Sequence, residues 1–197
     1  MLLQVGVRVP DRTDPLGLLA AGLRLHLMRL RGLAFSGAHL EHGDPDLCER
    51  AADALRNGLT YFARAADDPF REEVELLFPR LVDREPTEDL RAICELLAAD
   101  RVRAAALHQI LGDAAAELLE VPGEESALAL NRAAEVLIAL YRAHIDILET
   151  HLFPRARVLL DAAERRALGQ AMLDTGWATV LPDEVDHAEA SAPTGLP

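Results

Sequence analysis

The sequence predicts an all-α fold, and three observations support that prediction. Apolar residues recur at the spacing of one helix face in four long segments. The segments are joined by short stretches that contain Gly and Pro, which end helices and form turns. Half of the 197 residues are apolar and only 4% are aromatic, with Ala and Leu dominant. That composition favours closely packed helices, and we expect no β-sheet.

The first helix is predicted to begin at Asp14 and Pro15. Asp14 is a good N-cap residue, and proline suits the first helical position because its missing N–H has no partner there anyway. Leucines at helical spacing continue to about Phe35. The stretch 36–45 contains two Gly and two His and is typical of a loop. The second helix then begins near Pro45.

The second helix is predicted to break where Asp67 and Asp68 precede Pro69. A proline inside a helix removes a backbone donor and clashes with the preceding turn. We therefore expect a break or bend between Ala66 and Pro69, followed by a second helical segment over 69–82.

The remaining helices follow from turn signals and from one capping pattern. Residues 86–88 open a third helix, and the Val-Pro-Gly of 121–123 ends it. The fourth helix is predicted over 124–160, with a bend at the proline of its second half. A capping-box pattern at 161–164 starts a short fifth helix that ends near Leu173.

Length and composition indicate one helical domain with flanking segments. A chain of 197 residues can bury one complete core. We assign 1–13 to an extended lead-in, 14–175 to the helical bundle and 176–197 to a flexible acidic tail. Cys48 and Cys94 are too few for a disulfide scaffold, so we interpret them as reduced thiols of a cytoplasmic protein.

Net charge and apolar runs argue against nucleic-acid and membrane partners. The formal net charge of −13 argues against a nucleic-acid-binding protein, because phosphate neutralisation needs a basic face. No apolar run has the length of a membrane span, and the N-terminus lacks the pattern of a secretion signal.

Every one of the 20 basic residues is arginine, which is typical of a GC-rich bacterial genome.

One nine-residue pattern occurs twice in the chain. It reads EVELLFPRL from Glu73 and LETHLFPRA from Leu148. When the shared Leu-Phe-Pro-Arg is superposed, Pro69 lies opposite His144 and Glu73 opposite Leu148. Residues four apart share one face of a helix. A His and a carboxylate at that spacing, on facing helices, can form a dinuclear metal site. Here each copy retains only half of the pair.

These motifs resemble those of the hemerythrin-like, or HHE cation-binding, family. The resemblance covers about residues 14–172 and rests on the order of several motifs. They are Asp14-Pro15-Leu16-Gly17-Leu18-Leu19, Tyr61-Phe62, Glu72-Glu73, Leu77-Phe78-Pro79, Tyr141-Arg142-Ala143-His144-Ile145, Leu152-Phe153-Pro154 and Leu168-Gly169-Gln170-Ala171-Met172. The resemblance implies an antiparallel up-down four-helix bundle, here with the short fifth helix. Relatives carry two metal ions and serve oxygen binding, sensing or iron-centre repair.

The resemblance also implies which positions would hold metal. Relatives use one His from each of helices 1 and 3, and a His with a Glu one turn later from each of helices 2 and 4. Here Leu23 stands at the helix 1 position. The helix 2 pair is Pro69 and Glu73, and the helix 4 pair is His144 and Leu148. Glu73 and His144 are therefore relict ligand positions, and we expect neither a bound metal nor another cofactor.

The ligand position on helix 3 has two candidates, Arg101 and His108. Arg101 lies about as far before the turn between helices 3 and 4 as His144 lies after it, whereas His108 is about two helical turns nearer to the turn. Equal distance from the turn between helices 3 and 4 places Arg101 beside His144, and arginine cannot ligate a metal. We predict that Arg101 is buried and pairs with Glu73, supplying the charge that metal supplies in relatives. The alternative is that its side chain extends past the apolar stripe into solvent.

Other residues could rebuild an altered metal site or have plainer roles. The possible substitute ligands are His26, His108, Glu149 and His151. The simpler interpretation is that histidines on an apolar helix face are hydrogen-bonded core residues. Side chains that we assign to the solvated surface are His39, His42, His187, Glu72 and Glu75.

The leading functional interpretation is a metal-free, non-catalytic relative of this family that acts as a binding or regulatory module, as a homodimer or with a protein partner. The sequence shows no nucleophilic side chain with a plausible base near it, so nothing indicates an enzyme. The alternative is a non-haem iron protein with an altered site that senses or carries oxygen, nitric oxide or iron. A third interpretation is a bundle that binds a small molecule in the vacated centre.

Overall fold

The computed structural model of the chain describes residues 14–40, 45–66 and 68–174, and it confirms the all-α prediction. Every regular element in these ranges is helical, and none of them contains a strand. The predicted lead-in and tail, with His42 and His187, lie outside the described residues. None of the described helices is both long enough and apolar enough to cross a bilayer.

The helical segments follow one another along the chain with short connections. Their bounds are α1 (Pro15–His39), α2 (Pro45–Ala65), α3 (Asp68–Glu72), π1 (Glu73–Leu77), α4 (Phe78–Arg84), α5 (Glu88–Glu120), α6 (Glu124–Ile147), π2 (Leu148–Leu152), α7 (Phe153–Leu159) and α8 (Ala162–Asp174). Four long helical units result: α1, the run from α2 to α4, α5, and the run from α6 to α7.

Helix α1 continues one turn beyond its predicted end at Phe35. The extra turn packs against the neighbouring helix, since Ser36 and Gly37 are both buried. A Cβ at Gly37 would lie only 2.6 Å from Leu130 Cδ2 on α6. Glycine therefore permits the close approach of α1 to α6, and the tertiary contact keeps a loop-like sequence helical.

The predicted break of the second helix is confirmed. Helix α2 ends at Ala65, Ala66 forms a bend, and the next helix begins at Asp68. Pro69 is buried in the first turn of α3, where the N–H that proline lacks would have no intrahelical partner. The chain therefore changes direction directly before the first copy of the repeated motif.

Both copies of the motif contain a π-helical turn directly before their Phe-Pro pair. The N–H of Phe78 donates to the carbonyl of Glu73 in π1, and that of Phe153 donates to the carbonyl of Leu148 in π2. Proline cannot donate within a helix, so a local change of hydrogen-bond register accommodates it. Each copy therefore contains one wide turn beside its proline.

The long units pack side by side around a leucine-rich core. Helix α1 contacts α2 and α6, α5 contacts α6 and the run from α2 to α4, and α8 lies against α1 and π1. Core side chains that are at most 1% exposed include Leu23, Leu55, Leu77, Leu97, Leu130 and Leu148. This arrangement brings side chains of π1, α5 and α6 together at one point in the interior.

The predicted fifth helix is confirmed, together with its capping box. The N–H groups of Ala163 and Glu164 donate to Asp161 Oδ1 at 2.7 and 2.9 Å, and the Asp161 N–H donates to Glu164 Oε2 at 2.8 Å. These backbone hydrogen bonds lower the pKa of both carboxyl groups. Glu164 also pairs with Arg84 of α4, so the box ties α8 to the rest of the fold.

The Asp161→Ala variant should lower the free energy of unfolding, because two N–H groups of the first turn of α8 lose their acceptor. Urea unfolding at neutral pH measures the change. Asp146→Ala, an exposed aspartate within α6, is the matched control and should leave the midpoint nearly unchanged. Equal midpoints for the two variants would contradict a stabilising role for the box.

Candidate functional site

The centre of the molecule holds a histidine between two carboxylates. His144, on α6, donates through Nδ1 to Asp100 Oδ2 at 2.8 Å and through Nε2 to Glu73 Oε2 at 2.7 Å. The side chains of His144 and Glu73 are at most 1% exposed, and that of Asp100 is 7% exposed. Three elements, α5, α6 and π1, are therefore joined by two charge-assisted hydrogen bonds in the core.

The network continues outward from Asp100 to the surface. Arg103 Nη2 lies 2.8 Å from Asp100 Oδ1, and the Arg103 side chain is half-exposed. Charges then alternate along the row of Arg103, Asp100, His144 and Glu73, so that each buried charge has an opposite neighbour. At the inner end, Glu73 Oε1 is buried and has no hydrogen-bond partner among the described residues.

The environment favours the protonated form of the central histidine. Burial alone lowers the pKa of His144, but the charge of Glu73 and the hydrogen bonds that His144 donates to Asp100 and Glu73 outweigh burial and raise it to about 9. Burial also raises the pKa of Glu73, against the opposing effect of His144. The raised pKa of His144 keeps its ring protonated at neutral pH.

Aromatic and aliphatic side chains separate this network from water. The Phe70 ring meets the His144 ring edge-on, with centroids 4.9 Å apart. Phe70 also packs against Tyr141, at 5.2 Å between centroids. Leu23 and Leu148 are both completely buried. With little polar surface around them, the hydrogen bonds of His144 act in a medium of low dielectric and are correspondingly strong.

His26 belongs to a separate contact at the end of α2. Its Nδ1 lies 2.9 Å from the carbonyl oxygen of Gly22 and its Nε2 lies 2.9 Å from that of Ala65. The ring stacks on Tyr141 at 5.7 Å between centroids. Ala65 is the last residue of α2, where carbonyl groups lack intrahelical partners. His26 therefore supports the broken end of the helix, as expected of a hydrogen-bonded core histidine.

His108 lies on α5 at the other side of Tyr141. Its Nε2 is 3.0 Å from the Tyr141 hydroxyl, and its ring packs on Phe62 at 4.8 Å between centroids. Burial, together with the nearby His26, lowers the pKa of His108 to about 4. The ring is therefore neutral at pH 7, and its Nδ1 is a buried atom without a hydrogen-bond partner among the described residues.

The predicted ion pair between Arg101 and Glu73 needs correction. The Arg101 side chain is 31% exposed, and its Nη1 lies 3.4 Å from Glu75 Oε1. Glu73 is instead paired with His144. The distance from the helix turn gave the correct position along the axis of α5. It did not give the direction around the axis, in which the side chains of successive residues differ by about 100°. Asp100 therefore faces the centre, while Arg101 lies at the edge.

The possible substitute ligands are not brought together around His144. Glu149 is exposed and pairs with Arg24 on α1, and His151 is exposed. His26 and His108 contact Tyr141 rather than Glu73. Of the residues that the sequence singled out, only the relict pair of Glu73 and His144 meets at this point.

Two acidic residues were misjudged from the sequence. Glu72, assigned to the solvated face, is 1% exposed, with its Oε1 3.8 Å from Arg71 Nη2. Asp100, the second partner of His144, was not singled out. Its position gave a usable signal, because it lies three residues after Leu97 and four before Ala104, on the apolar stripe of α5. A carboxylate at such a position requires a buried partner.

The residues present do not fit a dinuclear metal site of the family type. Leu23, Pro69 and Leu148 offer no donor atom, and both ring nitrogens of His144 are already in hydrogen bonds. Among the described residues, no group of three or more His, Cys, Asp or Glu side chains is arranged to hold a metal ion. Comparison with protein-family models and with curated proteins finds no match to this chain.

The roles of His144 and Arg101 can be separated by unfolding measurements. His144→Met should cost on the order of 3 to 5 kcal/mol, because two carboxylates lose their shared cation in the core. Arg101→Met should cost less than about 1 kcal/mol, because its pair with Glu75 is partly exposed. Urea denaturation of both variants tests this, and equal losses would contradict the assignment of the buried cation to His144.

Stability should fall as pH rises above neutrality. The folded-state pKa of His144, about 9, exceeds its ordinary value of 6.5. The stabilisation from the bound proton is therefore complete below pH 6.5 and is lost as pH rises through 9. The difference corresponds to about 3 kcal/mol. Urea unfolding between pH 6.5 and 9 should show this decline in the wild type but not in His144→Met, and parallel profiles would exclude His144 as its source.

Proposed function

We propose that this chain is a metal-free relative of the hemerythrin-like proteins that acts as a non-catalytic binding or regulatory module. The observation that carries the proposal is the engagement of both His144 nitrogens, by Asp100 and by Glu73, at the point where relatives hold metal. A protonated imidazole between two carboxylates supplies the positive charge that the buried acids need. It leaves no lone pair on the ring for a metal ion.

The packing of the helices supports the assignment to this bundle type. Each of the four long units contacts at least two others, and α8 adds a short fifth helix. This pattern is expected of an antiparallel up-down bundle. The two relict positions of the resemblance, Glu73 and His144, approach within 2.7 Å although they lie on different units.

The state of the buried thiol supports a non-catalytic role. Burial raises the pKa of Cys94 to about 11. A thiol with that pKa is almost entirely protonated at pH 7, whereas the thiolate is the nucleophilic form. Arg155, whose charge opposes this rise in pKa, already pairs with Asp89 at 2.6 Å. Cys94 therefore acts as a small core side chain in this proposal.

The alternative, a non-haem iron protein with an altered site, has one observation in its favour. Metal-binding histidines commonly donate one ring N–H to a carboxylate, which fixes the direction of the other nitrogen. Asp100 holds His144 in this way, and the other nitrogen faces Glu73. The histidine could then offer Nε2 to a metal after losing its proton, with Glu73 beside it. Only two donors result, which is too few for tight binding by protein ligands alone.

Elemental analysis discriminates between the two functions. Protein produced in iron-supplemented medium should contain no stoichiometric iron, manganese or zinc after gel filtration, and should show no ligand-to-metal charge-transfer band. About one or more metal ions per chain, lost in His144→Ala but retained in His151→Ala, would favour the alternative. His151 is the matched control because its side chain is exposed in the same helical unit.

A further inference from the structure

His26 is a buried residue of α1 whose two ring nitrogens both face carbonyl oxygens. The residue is 1% exposed. Its Nδ1 lies 2.9 Å from the oxygen of Gly22 on the same helix, and its Nε2 lies 2.9 Å from the oxygen of Ala65 at the end of α2. A carbonyl oxygen can only accept a hydrogen bond, and a neutral imidazole carries one N–H. Two such contacts at hydrogen-bond distance therefore require a proton on each nitrogen, which is the imidazolium form.

The contact with Ala65 is needed because of the proline that follows it. In an uninterrupted helix the N–H of residue 69 would donate to the carbonyl of Ala65, but this residue is Pro69, which has no N–H. Helix α2 ends at Ala65, so this carbonyl lacks its ordinary intrahelical partner. The Nε2–H of His26 supplies the missing donor from α1. One proton of the ring is thereby fixed on Nε2, and the contact with Gly22 then requires the second.

Three aromatic rings surround the imidazole and favour a cation there. The rings of Tyr61, Phe62 and Tyr141 have centroids 5.4, 5.6 and 5.7 Å from that of His26, and the Tyr141 ring is stacked on it. A cation within about 6 Å of an aromatic centroid is attracted by the ring, more strongly where water is excluded. The C-terminal end of α2 adds the negative end of a helix dipole. These interactions offset the cost of burying the charge.

Charged and titratable side chains from several helices lie around this imidazole. In the described part of the chain they include Arg29 of α1, Tyr61 of α2, His108 of α5 and Tyr141 of α6. The side chains of Asp67 and Asp68 lie outside the described part. Burial, and then the charge of His26, lower the pKa of His108 to about 4, so His108 is neutral at pH 7 and does not repel an imidazolium. Arg29 is exposed, and solvent screens its repulsion.

We infer that His26 is held as a buried imidazolium and acts as a proton-dependent latch that fastens the broken end of α2 to α1. While the ring carries both protons, it donates to both carbonyls. Loss of one proton turns one contact into a repulsion between two lone pairs. Because both nitrogens belong to one rigid ring, turning Nδ1 away from Gly22 also moves Nε2 away from Ala65. The proton on His26 therefore decides whether the junction between α2 and α3 is fastened.

The first test determines the protonation state of His26 by NMR spectroscopy of the wild-type chain with nitrogen-15 labelled histidine. At pH 7 both ring nitrogens of His26 should show the chemical shifts of protonated nitrogen. The neutral ring of His108 is the internal control, and it should show one protonated and one unprotonated nitrogen in the same spectrum. An unprotonated ring nitrogen on His26 at pH 7 would overturn the inference.

The second test follows the backbone amide signal of Ala66, directly after the fastened carbonyl, from pH 6 to pH 10. In the wild type this signal should shift in one step, with the midpoint at which the His26 ring loses its proton. His26→Gln should remove the step. The matched control is His39→Gln, which should keep it, because His39 also lies on α1 with its Nδ1 2.8 Å from the carbonyl oxygen four residues before it.

Two results of the second test would overturn the latch. One is a wild-type Ala66 signal without a step up to pH 10. The other is a step that remains in His26→Gln, since it would then belong to another group such as His144. The first test needs only the wild-type chain and decides the inference even if His26→Gln does not fold. The inference goes beyond the proposed function, because neither the contacts of His26 nor their tests depend on whether the His144 site holds a metal.

Discussion

The buried hydrogen bonds of His144 are the constraint on which the rest of this structure depends. Two carboxylates in a leucine-rich core carry a large desolvation cost unless a cation lies between them. The imidazole of His144 meets both Asp100 and Glu73 at hydrogen-bond distance. Because the three residues come from α6, α5 and π1, the network fixes the relative rotation of three helical units. A shift of one unit would leave a buried charge without its partner.

The π turns explain how Glu73 reaches this point. A π turn changes the hydrogen-bond register and therefore the rotational phase of the helix that contains it. Glu73 begins π1, and the chain after π1 resumes as an ordinary helix at Phe78 and Pro79. Leu148 begins π2 in the other copy and is completely buried. The same backbone feature thus delivers a carboxylate in one unit and an apolar side chain in the other.

Sequence reasoning predicted the helical class and most of the helix boundaries because the strongest signals in the sequence are local. Proline at Pro69 removes a donor, and the box of Asp161 and Glu164 supplies partners for a helix start, whatever surrounds them. The site depends on rotation around an axis, which local signals specify poorly. Asp100 and Arg101 are adjacent in sequence, yet one is buried and the other lies at the edge. A shift of one residue along the helix therefore decides whether a charged side chain forms an ion pair in the core or at the surface.

The same limit applies near the first π turn. Glu72 and Glu73 are neighbours, and an uninterrupted amphipathic helix would turn them in directions about 100° apart. Both are nevertheless buried. The π turn π1 changes the rotation of the helix at this stretch. A regular period of 3.6 residues therefore cannot predict correctly which direction each of the two glutamates faces. Only the contacts of each side chain in three dimensions decide which glutamate meets the histidine.

The broken end of α2 lies beside the buried network and is held by side chains from two other helices. His26 reaches the carbonyl of Ala65 from α1, and the Tyr141 hydroxyl donates to that of Ala66 from α6 at 3.5 Å. Phe70, one turn further on, contacts both Tyr141 and His144. Side chains from α1 and α6 therefore hold the broken end of α2 in place.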